Sequence, residues 1–309
     1  MPEMQKPRRR SRATFWMLLC ASILCSIIIA LVLPAVRGLQ RHEEATKVSV
    51  ELTRLSQALA SFKAEYGTYP PSHLSIPEHG EQWNSDDRAI IRRIWPHFDF
   101  TAKYDLNGDG DTDDAHVMNG AECLVFFLGG NSDTNGTRLG FSKNPLAPFS
   151  ESSPNRSGPF FEFQINRFTD LDDDGFGEYG DLLTQTPILY ASRHDGKFEN
   201  GDLAVYPNDD PRNLQFVYNV NAEYQVISAG FDGVYGIGGD CLESTAAFEG
   251  DRIVENDNVT NFLGGTMSEN PPVTTLTFAL LLFSPIAFFF IGYLVSGLVG
   301  IRRVASNVD

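Results

Sequence analysis

The chain has 309 residues, 42% of them hydrophobic and 12% aromatic, enough for one or two cored domains. Its net charge of −16 is unevenly spread: the first 12 residues carry five bases and the last eight carry two, leaving 17 bases and 38 acids between. So acidic a middle region excludes nucleic acid as a partner and favours cations and a solvated exterior.

In chain order, Lys6, Arg8, Arg9, Arg10 and Arg12 form a basic tail over residues 1–12. Phe15–Val36 follows with no charge over 22 residues, against the roughly 20 that a spanning helix needs. That stretch is longer than the apolar core of a cleaved signal, and no small-residue cut site follows near residue 36. Pro34 falls inside the helix and removes a backbone donor, which predicts a kink. From Val48, the apolar positions Val48, Leu52, Leu55, Leu59, Phe62 and Tyr66 recur at spacings of 4, 3, 4, 3 and 4. Such spacing draws one stripe on a helix lying against a globular body. Gly67 and Pro70-Pro71 stop that helix.

After Pro71 short apolar runs (Ala121–Leu128, Phe160–Phe163, Ile188–Ala191, Leu214–Val220 and Tyr224–Ser228) alternate with Gly, Asn, Asp and Pro clusters. They predict a strand-containing domain with long loops. Ala121–Leu128, ahead of Gly129-Gly130, fits a short glycine-capped helix equally well. Ser268–Thr275 reads as a linker into a second uncharged stretch, Leu276–Ile301, which Arg302 and Arg303 close. Basic residues at the outer ends of both spans put both termini in the cytoplasm and residues 37–275 outside. Cys20 and Cys25 lie in the first span. Cys123 and Cys241 lie in the exported region, which permits one disulfide; two separate thiols are the other reading.

The strongest local signal is acidic. Asp105, Asn107, Asp109, Asp111 and Asp113 alternate along one loop with Gly110 at its sixth position. Asp170, Asp172, Asp174, Glu178 and Asp181 repeat the device around Gly175. A hard cation such as calcium needs several oxygens converging at roughly 2.3–2.6 Å, and a glycine turn wraps the chain around it. Both loops resemble the first nine positions of an EF-hand or dockerin loop. They differ at the twelfth, where Asp181 stands in one and His116 in the other. Asp181 replaces the expected glutamate at some cost in reach; His116 is a poor calcium ligand, and Asp114 is its substitute. The six histidines (His42, His73, His79, His97, His116 and His194) show no metal-ligand spacing and read as scattered surface residues. No Gly-x-Ser-x-Gly, P-loop or Cys-x-x-Cys occurs, which argues against an enzyme. Asn135, Asn155 and Asn258 head weak glycosylation sequons.

Basic tail, apolar helix with a late proline, heptad-like helix and the turn Tyr66-Gly67-Thr68-Tyr69-Pro70-Pro71 together resemble the N-terminal half of the type IV pilins and type II secretion pseudopilins. Tyr224–Gly236, with Ser228, Gly230 and Asp232-Gly233, resembles the C-terminal segment of the major pseudopilin. The resemblance implies a further calcium site, in which Asp232 joins a later loop, here Asp257-Asn258-Val259-Thr260. Asp240 and Asp251 are candidates between them. Aligned on Pro34, Arg12 stands where the family has the glycine before its cleavage site, and Met17 where it has a docking glutamate. A prepilin peptidase needs a small residue there, so these departures and the C-terminal span imply an uncut protein that stays anchored.

The expected architecture is α+β. A long helix (13–67, spanning the bilayer over 14–36) packs on a small antiparallel, β-rich exported domain with long loops (68–271). A C-terminal transmembrane helix (272–301) and a cytoplasmic tail (302–309) follow. The expected function is structural: a pseudopilin-like accessory of a type II secretion or pilus-like machine, in the cytoplasmic membrane, with calcium as cofactor. Its partners would be the lipid bilayer, secretion components, and its own copies through the N-terminal helix. The alternative is an anchored ligand-binding or sensory ectodomain that has kept the scaffold without the machine.

Overall fold

The computed structural model describes residues 10–79, 82–133, 136–198, 203–206, 210, 212–240 and 248–268. The expected C-terminal span and Cys241 lie outside them. The chain divides into two compact units, residues 1–43 with 270–309, and residues 44–269.

Helix α1 runs unbroken from Arg10 to Tyr66, through Pro34. Among the described residues it alone is long and apolar enough to cross a membrane, as an anchor or a signal sequence would. Its apolar side chains in the first unit are exposed: Trp16, Leu24, Ile28 and Leu33 are half-exposed or more open. In water that surface would carry a large transfer cost, so its natural surrounding is hydrocarbon or another apolar surface.

In the second unit, the rest of α1 is the spine of a core. Val48, Leu52, Leu55, Leu59 and Phe62 are all fully buried, so the 3-4 stripe faces the domain as its spacing predicts. Val50, Thr53, Gln57 and Ala60 face solvent on the other side. The helix stops where Gly67, at φ 81°, donates to the Lys63 carbonyl at 2.8 Å. A left-handed residue closing the last turn is the usual work of glycine at that place.

Helix α3 (Gly120–Gly129) is buried at all ten positions. Asn119 caps it, accepting from the Ala121 and Glu122 amides, and Glu122 reaches back to the Asn119 amide. This capping box fixes the first turn, and Gly130 receives the last, so the helical alternative for Ala121–Leu128 is the one realised. Phe126 and Phe127 reach Trp95, Phe141, Phe149 and Phe62 in edge-to-face or stacked pairs. Helix α2 (Ser85–Ile94) starts at the Asn84 cap and packs Ile91 and Ile94 inward.

The strands form small antiparallel sheets. Strand β1 (Leu74–Pro77) pairs with β2 (Ala115–Met118), Pro77 opposite Ala115. Strands β3 (Asn131–Ser132), β4 (Arg138–Ser142) and β5 (Arg156–Ser157) make one ladder. Strand β6 (Phe168–Thr169) pairs with β7 (Glu178–Tyr179), closing the second acidic loop as a hairpin. Strand β8 (Leu189–Ser192) pairs with β9 (Tyr224–Ser228), which pairs with β10 (Val259–Thr260).

Two expected strands are not strands. The Phe160 and Phe161 amides donate to the Leu128 carbonyl at the end of α3, at 2.7 and 3.3 Å, instead of entering a ladder. In Leu214–Val220, the Tyr218 and Asn219 amides both donate to the Gln225 side chain at 3.0 Å. Each segment meets backbone demand outside a strand ladder, at a helix end or a side chain, while still burying apolar side chains.

Candidate metal centre

The two acidic loops of the sequence lie side by side. Each is folded by its first aspartate: Asp105 accepts from the Gly108 and Gly110 amides, at 2.6 and 3.0 Å. Asp170 accepts from the Asp174 and Gly175 amides, at 3.3 and 3.0 Å. The sixth-position glycines Gly110 and Gly175 have φ of 99° and 90°, a region that side chains other than glycine's rarely enter. Where the loops touch, a Cβ on Gly175 would come within 2.8 Å of the Asn107 Cβ. Phe176 stacks obliquely on His116, their ring centroids 4.8 Å apart.

In the second loop Asp172 and Asp174 converge with Glu122, one oxygen from each lying within 4.8 Å of the others. Glu122 comes from the first turn of α3, not from the loop. It is 1% exposed; its Oε2 accepts from the Asn119 amide, while its Oε1 is buried without a hydrogen-bond partner. Glu178 stands beside them, tied by the Asn119 side chain and the Leu171 amide. So much acid in one place resists ionisation. Burial, reinforced by Asp174, Glu178 and Asp172, pushes the Glu122 carboxyl up to about 9. Burial pushes Glu178 up to about 7, with Asp172 adding to it. Burial and then the Asp172 and Asp170 charges push Asp174 up to about 6. A divalent cation would relieve that repulsion and supply the unpartnered oxygen with a contact.

Asp181, expected as the twelfth-position ligand, is elsewhere. Its Oδ1 accepts from the Leu183, Thr184 and Gln185 amides, and its Oδ2 accepts from the Ser228 hydroxyl at 2.6 Å. A fully buried carboxylate with five donors around it is structural, and Glu122 takes the acidic place beside the loop.

In the first loop Asp109, Asp111 and Asp114 converge within the same limit; Asp113 does not join them. Asn107 donates to Asp109 and to Asp114, at 3.2 and 3.5 Å. Asp114 also meets Glu78 and His116. His116 is 5% exposed and its Nε2 is 3.4 Å from Glu78 Oε1, so it is not the surface residue its spacing predicted.

Of the third set, Asp232 and Asp257 are neighbours. Burial and then the Asp232 charge raise the Asp257 carboxyl, which accepts from the Phe231 amide at 2.9 Å. Asp232 accepts from the Val234 amide, and Asp251 is exposed in the 3₁₀ turn Gly250–Asp257. Among the described residues, Asp232, Asp240, Asp251 and Asp257 make no converging group of three. Glu255, buried nearby, is taken by Arg252 and by the Ile237 and Gly238 amides. Asn258 is fully buried, its Nδ2 donating to the Tyr218 hydroxyl and the Tyr235 carbonyl, which bars it as a glycosylation acceptor. Cys123 is buried in α3, where its thiol faces the Met118 carbonyl.

Glu122 and Glu78 escaped the sequence reading because each sits outside its loop. Asn119-x-x-Glu122 does carry a sequence signal, the capping box; Glu78 carries none. Compared with known proteins, the chain matches no protein-family model, no curated protein and no solved structure.

Proposed function

We propose that this chain is a membrane-anchored, non-enzymatic structural protein on a pilin-like scaffold, with a calcium-stabilised domain held outside the cytoplasmic membrane. One observation carries the reading. A single helix is apolar and exposed over its first part, then serves as the buried spine of a domain over Val48–Phe62. An apolar helix made continuous with a core element suits tethering, which is a structural rather than a catalytic task. The pilin resemblance at Tyr66–Pro71 and Tyr224–Gly236 supports the same scaffold. Arg12 and Met17 favour a form that is neither cleaved nor polymerised. The proposed topology keeps both termini cytoplasmic and residues 37–275 outside.

Calcium suits the second loop because its donors are all carboxylate oxygens. Ligands at roughly 2.3–2.6 Å from one ion can stand up to about 5.2 Å apart, and the Glu122, Asp172 and Asp174 oxygens already lie within 4.8 Å of one another. Glu122, Asp172 and Asp174 would hold the ion, with Glu178 beside them. Its chemistry there is charge neutralisation: it would tie α3 to the β6–β7 hairpin.

The Val48–Phe62 stripe is spent in the chain's own core, so self-association through the N-terminal helix would use its other faces. A photocrosslinker at the exposed positions Val50 or Gln57 tests the reading in native membranes. Crosslinks to further copies or to secretion components support an accessory role. A strictly monomeric, unlinked chain favours the sensory ectodomain.

A further inference from the structure

The first acidic loop departs from the calcium pattern at His116, and its surroundings give that departure a use. Strand alternation sets Asp114 and His116, two residues apart, on one face at the start of β2. Glu78 follows β1 and donates its amide to the Asp114 carbonyl at 3.0 Å, so it is the cross-strand neighbour of Asp114. The three side chains thereby meet, with one ligand atom from each inside 4.8 Å. Glu78 is fully buried. Its Oε1 accepts from the Leu106 amide at 2.6 Å and faces His116, while its Oε2 is buried with no hydrogen-bond partner. A buried carboxylate oxygen left bare costs free energy unless something positive meets it. The Phe176 ring screens the imidazole on one side, while Asp114 lies open to solvent and gives a route of entry.

We infer that Glu78, Asp114 and His116 form a site for a divalent transition ion of the zinc class, separate from the all-carboxylate site at Glu122. Imidazole nitrogen suits zinc, copper, iron and nickel, whereas sites of carboxylate and carbonyl oxygen alone suit calcium and magnesium. Zinc sits about 2.1 Å from nitrogen and oxygen ligands, so the three atoms close on it by less than about an ångström, a movement that open Asp114 supplies. Water would complete the coordination.

Cobalt(II) is the probe, since its visible absorption reports nitrogen coordination and zinc displaces it. The full-length chain, in detergent and without a polyhistidine tag, is expected to take up one cobalt per chain with a ligand-field band. Stoichiometric zinc should abolish that band, and millimolar calcium should leave it. Neighbours of metal ligands are worth roughly 10–100-fold in affinity, so Glu78→Gln, Asp114→Asn and His116→Gln should each weaken cobalt binding by at least that much. Glu44→Gln, which changes an exposed carboxylate on α1, should leave it unchanged. Asp114→Asn changes an open side chain and keeps the test alive if either buried substitution unfolds the chain, as circular dichroism would reveal. No band, a band that calcium removes at parity, or one that survives in Asp114→Asn and in a folded His116→Gln overturns the inference.

Discussion

Arg167 holds Glu51 in a two-pronged ion pair, Nη1 to Oε1 at 2.6 Å and Nη2 to Oε2 at 2.8 Å, between helix α1 and the hairpin of the second acidic loop. The same guanidinium donates from Nε to the Gly180 carbonyl at 3.0 Å and lies 4.2 Å from the centre of the Tyr179 ring. Glu51 is 9% exposed and Arg167 2%. The arginine thus joins helix α1 to the end of strand β7, which carries Glu178.

Removing one partner of such a pair strands the other charge in a poor dielectric. Glu51→Ala is therefore expected to destabilise the domain by about 3–5 kcal/mol, read as a lower urea midpoint with an unchanged slope. A loss under about 1 kcal/mol, the scale of an exposed pair, would mean the two groups are solvated.

Glu122 and Asp181, two buried carboxylates near the second loop, differ in what they serve. Glu122→Gln keeps an oxygen for the Asn119 amide and removes a group that is already largely protonated at neutral pH. The calcium-free melting temperature should hardly move. The calcium-induced rise, worth about 2.7 kcal/mol at a hundredfold excess over Kd, should need far more calcium to appear. Asp181→Asn should do the reverse, lowering the calcium-free melting temperature while keeping the rise, because Asp181 serves its own turn and Ser228. If Asp181→Asn alone abolished the calcium response, the loop would be using its twelfth position after all.

That contrast marks how far the sequence was legible. The helix stripe and the strand Tyr224–Ser228 follow from local periodicity, and the structure realises both. The glycine-folded acidic loops were legible for the same reason: alternation and the sixth-position glycine are short-range. Tertiary partners were not. Glu122 is 48 residues before Leu171's loop begins at Asp170, Glu78 is 38 before His116, and Glu51 is 116 before Arg167. Nothing within a helical or strand period points across such distances. Phe160–Phe163 and Leu214–Val220 failed differently, since an apolar run records burial and leaves open where its amides will find acceptors.

Gly175 tests whether the two loops act together. At φ 90°, alanine costs about 1–3 kcal/mol in strain alone, and its Cβ would press on Asn107 at 2.8 Å. Gly175→Ala should lower the melting temperature and blunt the calcium response. Adding Asn107→Gly removes the atom that is struck while leaving the strain, so the double variant should regain part of the loss. An additive further loss in the double variant would show that the loops do not press on one another.

The raised carboxyls of the second loop make stability depend on pH, with a sign set by the direction of their shifts. Folding raises Glu122 to about 9, Glu178 to about 7 and Asp174 to about 6, from ordinary values of 4.5, 4.5 and 3.8. Through that window the folded chain holds more protons than the unfolded one, so stability falls as pH rises. The favourable contribution is complete below the unfolded values and is lost step by step as pH climbs through the folded ones. Asp210 works the other way, held down to about 2 by Arg212, but its contribution changes only below its ordinary value of 3.8. In chelator, the melting temperature should therefore drop steadily between about pH 5 and pH 8. A bound calcium ion would compete with the protons and take their place, so with millimolar calcium the drop should flatten, and the gap between the two curves should widen toward high pH. A chelated curve that rises over this range would show that the carboxyls around Glu122 are not crowded in solution.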